Sequence, residues 1–200
     1  MNLELLQPDE SVEPYARAIA RAFVGYPVMQ RAFCDTPGNQ EDWIFEMVKR
    51  SAQARQAVGM KIPLVKIGDR VVAGANLSLP GPEVPESSRD WFSEFLKTAG
   101  PSAIEFFPRF IQTLETVDLP KPSAYLVMIG VDPDFQGQGV GKKLIDYCFD
   151  LANENPENKG MGLDTQDIKN THIYRNCGFE VVEEKSLDDM PIYVMWRARQ

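Results

Sequence analysis

The stretch YLVMIGVDPDFQGQGVGKKLIDYCFDL, Tyr125 to Leu151, decides how the rest of the chain is read. Tyr125–Val131 is an almost wholly apolar run rich in strand formers, the pattern of a strand buried on both faces. Pro133 ends it. Gly137, Gly139 and Gly141 then alternate along a loop in which missing side chains let backbone N–H groups approach a ligand. Val140, Leu144, Tyr147, Cys148 and Leu151 recur at helical spacing, so the glycines stand at a helix start. Unpaired N–H groups and the positive end of the helix dipole make such a start an anion site suited to phosphates.

Two familiar phosphate motifs fail on these letters. A Walker loop needs glycine five residues before the Gly-Lys pair and Ser or Thr after the lysine, where Gln136 and Lys143 stand. A dinucleotide fingerprint from Gly137 needs its third glycine at Lys142. What remains is Gln136-x-x-Gly139-x-Gly141 after Val131-x-Pro133, which resembles the acetyl-CoA loop of the GNAT superfamily of N-acetyltransferases. Lys142 and Lys143 lie in the first helical turn, where cations oppose the dipole unless an anion is near. Downstream, GLDTQDIKNTHIYRNCGFEVVE from Gly162 to Glu183 resembles the second GNAT signature, with Asn170, Tyr174, Gly178 and Phe179 on the matching places.

The resemblance implies an α/β GNAT acyl-CoA N-acyltransferase fold. Its mixed central sheet has splayed fourth and fifth strands and helices on both faces. Acetyl-CoA is the implied co-substrate, a primary amine of a small molecule the implied acceptor, and direct attack in a ternary complex the implied route; the rival is a catalytically silent acyl-CoA sensor. Backbone groups of Gly137, Gly139, Val140, Gly141 and Lys142, with Gln136, are expected to hold the pyrophosphate. Main-chain groups of Ile129 and Val131 are expected to meet the pantetheine like a strand added to a sheet edge, with the oxyanion near Gly130 or Val131. Asn170 is expected on the pantetheine and Tyr174 as acid for the leaving thiolate. A phenol of pKa about 10 protonates a thiol of about 8.5 only uphill, so its help is a strong hydrogen bond or a lowered pKa. No carboxylate lies in Tyr125–Val131; Asp164 is the first candidate base, ahead of Asp42 and Glu46, and His172 falls off the face shared by Asn170 and Tyr174.

Upstream the pattern is strand, helix, helix, strand, strand. Leu3–Leu6 opens, Val12 to Phe23 carries a helical stripe, a second helix runs from Glu41 to about Val58, and Gly68-Asp69-Arg70 splits two apolar runs as a hairpin. Residues 80–122 begin with Pro80, Pro82 and Pro85 and then repeat aromatics at helical spacing. They resemble a helical insertion between the third and fourth strands, like that of the puromycin-acetyltransferase-like branch, whose last strand Pro191–Arg197 also resembles. Phe179–Glu184 and Ile192–Ala198 read as strands joined by a polar Lys185–Asp189 loop. One domain, 1–200, is expected, with the loop motif in 125–152 and the second motif in 162–184.

Two hundred residues, 44% hydrophobic and 25% charged, suit an ordinary globular protein. A net charge of −8 disfavours nucleic acid and anionic membranes as partners. Three scattered cysteines read as free thiols of a cytoplasmic protein, and a single histidine without CxxC argues against a metal site. No signal peptide or apolar span is evident, and a monomer or homodimer is expected.

Overall fold

The computed structural model describes residues 1–81 and 90–199; Pro82 and Pro85, the start of the expected insertion, lie outside the described residues. In chain order come β1 (Asn2–Leu5), α1 (Glu13–Phe23), α2 (Pro27–Ala32), α3 (Gln40–Ala57), β2 (Pro63–Ile67) and β3 (Arg70–Ser78). The insertion supplies α4 (Asp90–Ala99) and α5 (Pro101–Glu115). Then follow β4 (Ala124–Val131), a 3₁₀ turn (Pro133–Phe135), α6 (Val140–Asn153), β5 (Gly160–Thr165), α7 (Ile168–Arg175), β6 (Glu180–Leu187) and β7 (Met190–Ala198).

The strands form one mixed sheet in the order β1-β2-β3-β4-β5-β7-β6, antiparallel except for β4 beside β5. Helices cover both faces. One core packs α1 to α5 on the sheet; the other packs α6, with Tyr174 and Phe179, on the opposite side. Close approach of α1 is made possible by Gly74 and Gly130, cross-strand partners on β3 and β4. A Cβ at Gly74 would lie 2.4 Å from the Tyr15 ring, and one at Gly130 3.0 Å from the Ala22 Cβ and 3.2 Å from the Ile19 Cα. Only hydrogen fits there.

β4 is where the sheet opens. Its ladder with β5 contains three pairs, Ala124–Met161, Tyr125–Gly162 and Leu126–Leu163, and stops. On its other side the ladder with β3 continues to Val131 but slips between Leu126 and Met128, leaving Val127 as a bulge. The bulge changes which face alternate residues address: Ala124 and Leu126 join the α6 core, as do Ile129 and Val131, while Tyr125 and Met128 join the α1 core. Val127 is 53% exposed. Both faces of the strand are thus covered as expected, with Val127 the exposed exception; what β5 leaves uncovered beyond Leu126 is the strand's hydrogen-bonding edge.

The polar Lys185–Asp189 segment is also corrected. Lys185, Ser186 and Leu187 belong to β6, paired with Ile192, Pro191 and Met190, so the turn is only Asp188-Asp189. β6 is an edge strand with one face in water, and its polar residues are compatible with that place. Asp188 takes φ +55°, a turn geometry that Asp tolerates better than most side chains. Among the described residues no helix is long and apolar enough to cross a membrane.

Candidate active site

The glycine-rich loop connects β4 to α6 through backbone that ordinary residues avoid. Gly137 and Gly139 have φ of +73° and +75°, and Gly139 is the N-cap of α6, with no side chain satisfying the first N–H groups. A Cβ at either glycine would meet nothing within 4 Å, so the space over the loop is open and the demand for glycine there is conformational. Gly141 has ordinary φ, and its Cβ would touch Val131 at 3.4 Å. Gln136 reaches back to donate from Nε2 to the Val131 carbonyl at 3.0 Å, which shapes the turn. Lys142 is bound to Asp146, one turn along α6, at 2.7 Å, and Arg197 joins the same carboxylate at 3.0 Å. The helix-start cation Lys142 thus has a protein counter-charge.

The stem of the loop is held from the α1 side. Asp132, 3% exposed, accepts from Arg21 at 2.6 and 2.7 Å and from Arg70 at 2.9 Å, and its own N–H donates to the Val72 carbonyl at 2.8 Å. Because Asp132 turns its N–H to β3, strand alternation turns Gly130 the same way and aims the main-chain groups of Val131 and Ile129 at the uncovered edge. Of the two expected oxyanion donors, Val131 has the suitable direction and Gly130 does not.

Across that opening, Asp164 near the end of β5 is gripped by two side chains. The Tyr125 hydroxyl donates to Oδ1 at 2.8 Å and Gln166 Nε2 donates to Oδ2 at 2.7 Å. Loss of hydration pushes the Asp164 carboxyl above the usual carboxylate range, against the opposing effect of those two hydrogen bonds. Beside it, the Tyr26 hydroxyl meets Thr165 Oγ1 at 3.0 Å and accepts from the Gln166 N–H at 3.1 Å. Asn170 Nδ2 donates to the same Thr165 oxygen at 3.3 Å, while Asp167 caps α7 through the Lys169 N–H at 2.9 Å. Asn170 is therefore neither the cap nor free.

Tyr174, one turn along α7, sets its ring edge-on to Phe179 with centroids 6.1 Å apart. Its hydroxyl has no protein hydrogen-bond partner among the described residues. Burial, then the nearby Tyr26 and Asp164, raise its pKa above the ordinary phenol value. Nothing around the hydroxyl lowers its pKa, so the help this geometry offers a departing thiolate is a hydrogen bond from a neutral phenol. Glu46 is engaged by Lys49 and Arg50, both at 2.6 Å, which holds its carboxyl below the usual range despite partial burial. Asp42 lies 3.9 Å from Arg17 on the outer side of α3, and His172 is exposed. Burial raises the thiols of Cys148, to about 12, and of Cys177, so neither is a nucleophile in waiting.

A second opening reaches Gln166, the partner of Asp164. A cleft of about 560 Å³ runs between α2, α5 and the β6–β7 turn, lined among others by Arg31, Glu105, Arg109, Gln166, Asp188 and Asp189. The insertion thus has two jobs: α5 walls this cleft, and Trp91, Phe95 and Phe107 extend the aromatic packing around Phe33. Tyr26, Tyr125, Gln166 and the cleft arginines were not singled out by the sequence reading. Tyr26, Tyr125, Arg31 and Arg109 meet Thr165, Asp164, Asp189 and Asp188 across 39 to 158 positions, and no local spacing signals such contacts; Gln166 meets Asp164 only two positions back.

Residues 108–181, from within α5 to the start of β6, match the model of the acetyltransferase (GNAT) domain. The chain has the GNAT fold. Over its whole length it superposes on a structure of histone acetyltransferase HPA2 and related acetyltransferase from Corynebacterium glutamicum, with a TM-score of 0.64, 18% identity, and 100% and 98% of the two chains covered. It likewise superposes on the Drosophila melanogaster polyamine N-acetyltransferase, which forms N-acetylagmatine, with a TM-score of 0.66, 12% identity and 99% of each chain covered. In sequence it is 26% identical over 115 residues to the peptidyl-lysine N-acetyltransferase YjaB of Salmonella typhimurium, spanning 52% of this chain and 77% of that protein. The mixed sheet and the parallel β4–β5 pair are those of GNAT proteins, and the matches together support an acetyltransferase.

Proposed function

We propose that the protein transfers the acetyl group of acetyl-CoA to a primary amine of a small molecule by direct attack in a ternary complex. The observation that carries this reading is the end of β4–β5 pairing at Leu126 and Leu163, which leaves the rest of β4 unpaired on that edge as it leads to a loop whose glycines leave helix-start N–H groups uncovered. The loop residues Gln136–Lys142 bind the pyrophosphate, and the outward main chain of Ile129 and Val131 binds the pantetheine. Asp164 takes one proton from the incoming ammonium. The neutral amine nitrogen then bonds to the thioester carbonyl carbon, the Val131 N–H stabilises the oxyanion, and as the carbonyl re-forms the C–S bond breaks, the nitrogen's second proton passing to the departing sulfur, to which the Tyr174 hydroxyl is hydrogen-bonded. Asn170 holds Thr165 and through it this side of the groove.

Relatives named for peptidyl-lysine and for polyamines bracket the acceptors that the family-wide chemistry reaches; the cleft beside Gln166 favours a small molecule. The α4–α5 insertion and the closing strand β7 support a place near the puromycin-acetyltransferase-like branch. Three free cysteines support a cytoplasmic setting. CoA is expected to raise the melting temperature by mass action, and acetyl-CoA plus an amine to release CoA thiol. Binding without release for any amine is the outcome of the sensor reading; no thermal shift and no calorimetric heat with saturating CoA refutes both.

A further inference from the structure

We propose that Tyr26 is a positioning residue for acetyl transfer: its hydroxyl, by gripping the end of β5 at Thr165 and Gln166, holds the amide that orients the Asp164 carboxylate. This rests on the acetyl-transfer reading for its chemistry and on the hydrogen bonds of one phenol for its geometry. Tyr26 is the N-cap residue of α2 and sets its ring edge-on to Phe23 of α1, with centroids 5.1 Å apart. The corner between those helices is braced from α3. Gln40 accepts from the Gly25 N–H at 3.0 Å and donates to the Met29 carbonyl at 3.2 Å. A phenol on so well-held a corner is a fixed point for whatever its oxygen meets.

That oxygen accepts from the Gln166 N–H at 3.1 Å, and the side chain of the same Gln166 donates to Asp164 Oδ2 at 2.7 Å. Tyr26 therefore anchors the main chain from which the orienting amide projects. Its second contact, Thr165 Oγ1 at 3.0 Å, grips the strand one residue earlier, at an oxygen that also takes Asn170 Nδ2 from α7 at 3.3 Å. Thr165 and Gln166 are both buried, so water does not readily replace the phenol at either contact. Burial, against the hydrogen bonds to Thr165 and Gln166, raises the Tyr26 pKa, and the Asp164 charge adds to the rise. Burial, then Tyr26 and Asp164, raise that of Tyr174 on α7, so the three groups lie within one another's fields. Asp164 itself answers first to loss of hydration, then to the Tyr125 hydroxyl from β4, to Gln166 and to the β5 main chain. Of these, Gln166 is the one whose place Tyr26 sets.

Tyr26→Phe keeps the ring on Phe23 and removes both contacts to the strand end. Gln166 then loses its main-chain anchor, its amide loosens from Asp164, and the carboxylate, less stabilised, titrates higher still. With the full chain, acetyl-CoA and n-butylamine, kcat is expected to fall roughly tenfold or more, while CoA affinity by calorimetry, set at the glycine loop, stays within about twofold. In an Asp164→Asn background the same change is expected to cost less than about threefold, because the carboxylate it orients is gone. The full cost retained in that background assigns Tyr26 to general packing and overturns the proposal. NMR of isotope-labelled aspartate carboxyls reads the same link without turnover. The Asp164 resonance, identified by its loss in Asp164→Asn, is expected to titrate at higher pH in Tyr26→Phe than in the parent. An unmoved or lowered titration overturns the proposal even where turnover falls. A raised titration in a protein that releases no CoA thiol with any amine upholds the grip on Asp164 and places the failure with the transfer reading.

Discussion

Replacing Asp164 by Asn tests the site at the atom where the chemistry is placed. The carboxylate accepts from Tyr125 at 2.8 Å and from Gln166 at 2.7 Å. Asn keeps both contacts if its oxygen accepts from Tyr125 and the Gln166 amide turns over to accept from the new NH₂. Two charge-assisted hydrogen bonds then become neutral ones, a loss of about 1 kcal/mol each, offset by removal of a poorly hydrated charge. The net change in stability is expected within about 1 kcal/mol, a shift of roughly 2–4 °C in melting temperature. Activity behaves differently. A general base contributes about 10²- to 10⁴-fold, so kcat/KM at neutral pH is expected to fall by about 3–5 kcal/mol of barrier.

The pH dependence adds a second readout. Burial raises the Asp164 pKa, so the protonated, inactive form persists to higher pH than for a surface aspartate, and activity of the parent should rise along an acid limb displaced upward. The same shift has a stability sign. Between the unfolded and the raised folded pKa the native state binds more protons than the unfolded one, so stability falls as pH rises through that window and is level above it. Asp164→Asn should lose both the acid limb of kcat/KM and that decline in stability. Steady-state CoA-thiol release between acid and alkaline pH, alongside thermal melts, measures the two. An Asn variant within about threefold of the parent and with the same acid limb refutes Asp164 as the base.

Tyr174→Phe removes a hydroxyl with no protein hydrogen-bond partner among the described residues, so melting should hardly change, CoA affinity should stay within a few-fold, and turnover should fall about 10²-fold; full turnover would leave positioning alone as the source of catalysis. Gly139→Ala places a side chain at φ +75° with nothing to clash against, so a cost of about 1–2 kcal/mol by denaturant titration is expected from backbone strain, together with weaker CoA binding by calorimetry. Gly74→Ala instead drives a methyl to 2.4 Å from the Tyr15 ring, and a loss of about 1–3 kcal/mol in the same titration is expected with CoA affinity of the surviving folded protein retained.

What the sequence revealed and what it withheld divide along range. The loop glycines, the α6 stripe and the paired motifs are local patterns, each written within a few residues, and they were enough to locate β4, the loop, α6 and α7. The bulge at Val127 was not legible, because nothing in a run of apolar residues marks where one strand slips against its neighbour. Nor was the β6–β7 turn: a polar, charged segment reads as loop, yet on an edge strand half the side chains face water and charge is no argument against pairing. Asp164 was legible as a carboxylate at the end of a short strand. Its partners were not, since Tyr125 looked like one more strand former and Gln166 like one more polar residue after it.

The bulge and the splay are better understood as one device than as two. Without the slip at Val127, side chains beyond Leu126 would keep their alternation, and Ile129 and Val131 would exchange faces with Met128 and Gly130. Gly130, the one residue there with no Cβ to meet α1 at 3.0 Å, would then turn toward α6, and a branched residue would be driven into Ala22 and Ile19. The slip therefore lets Tyr125 point at Asp164 from the α1 side before the bulge while Gly130 admits α1 after it. Divergence of β5 beyond Leu163 does the complementary work, uncovering the main chain of Val131 and leaving Asp164 on the far wall of the opening. Gln166 ties that wall to the second opening, so the amide that orients the carboxylate also lines the cleft.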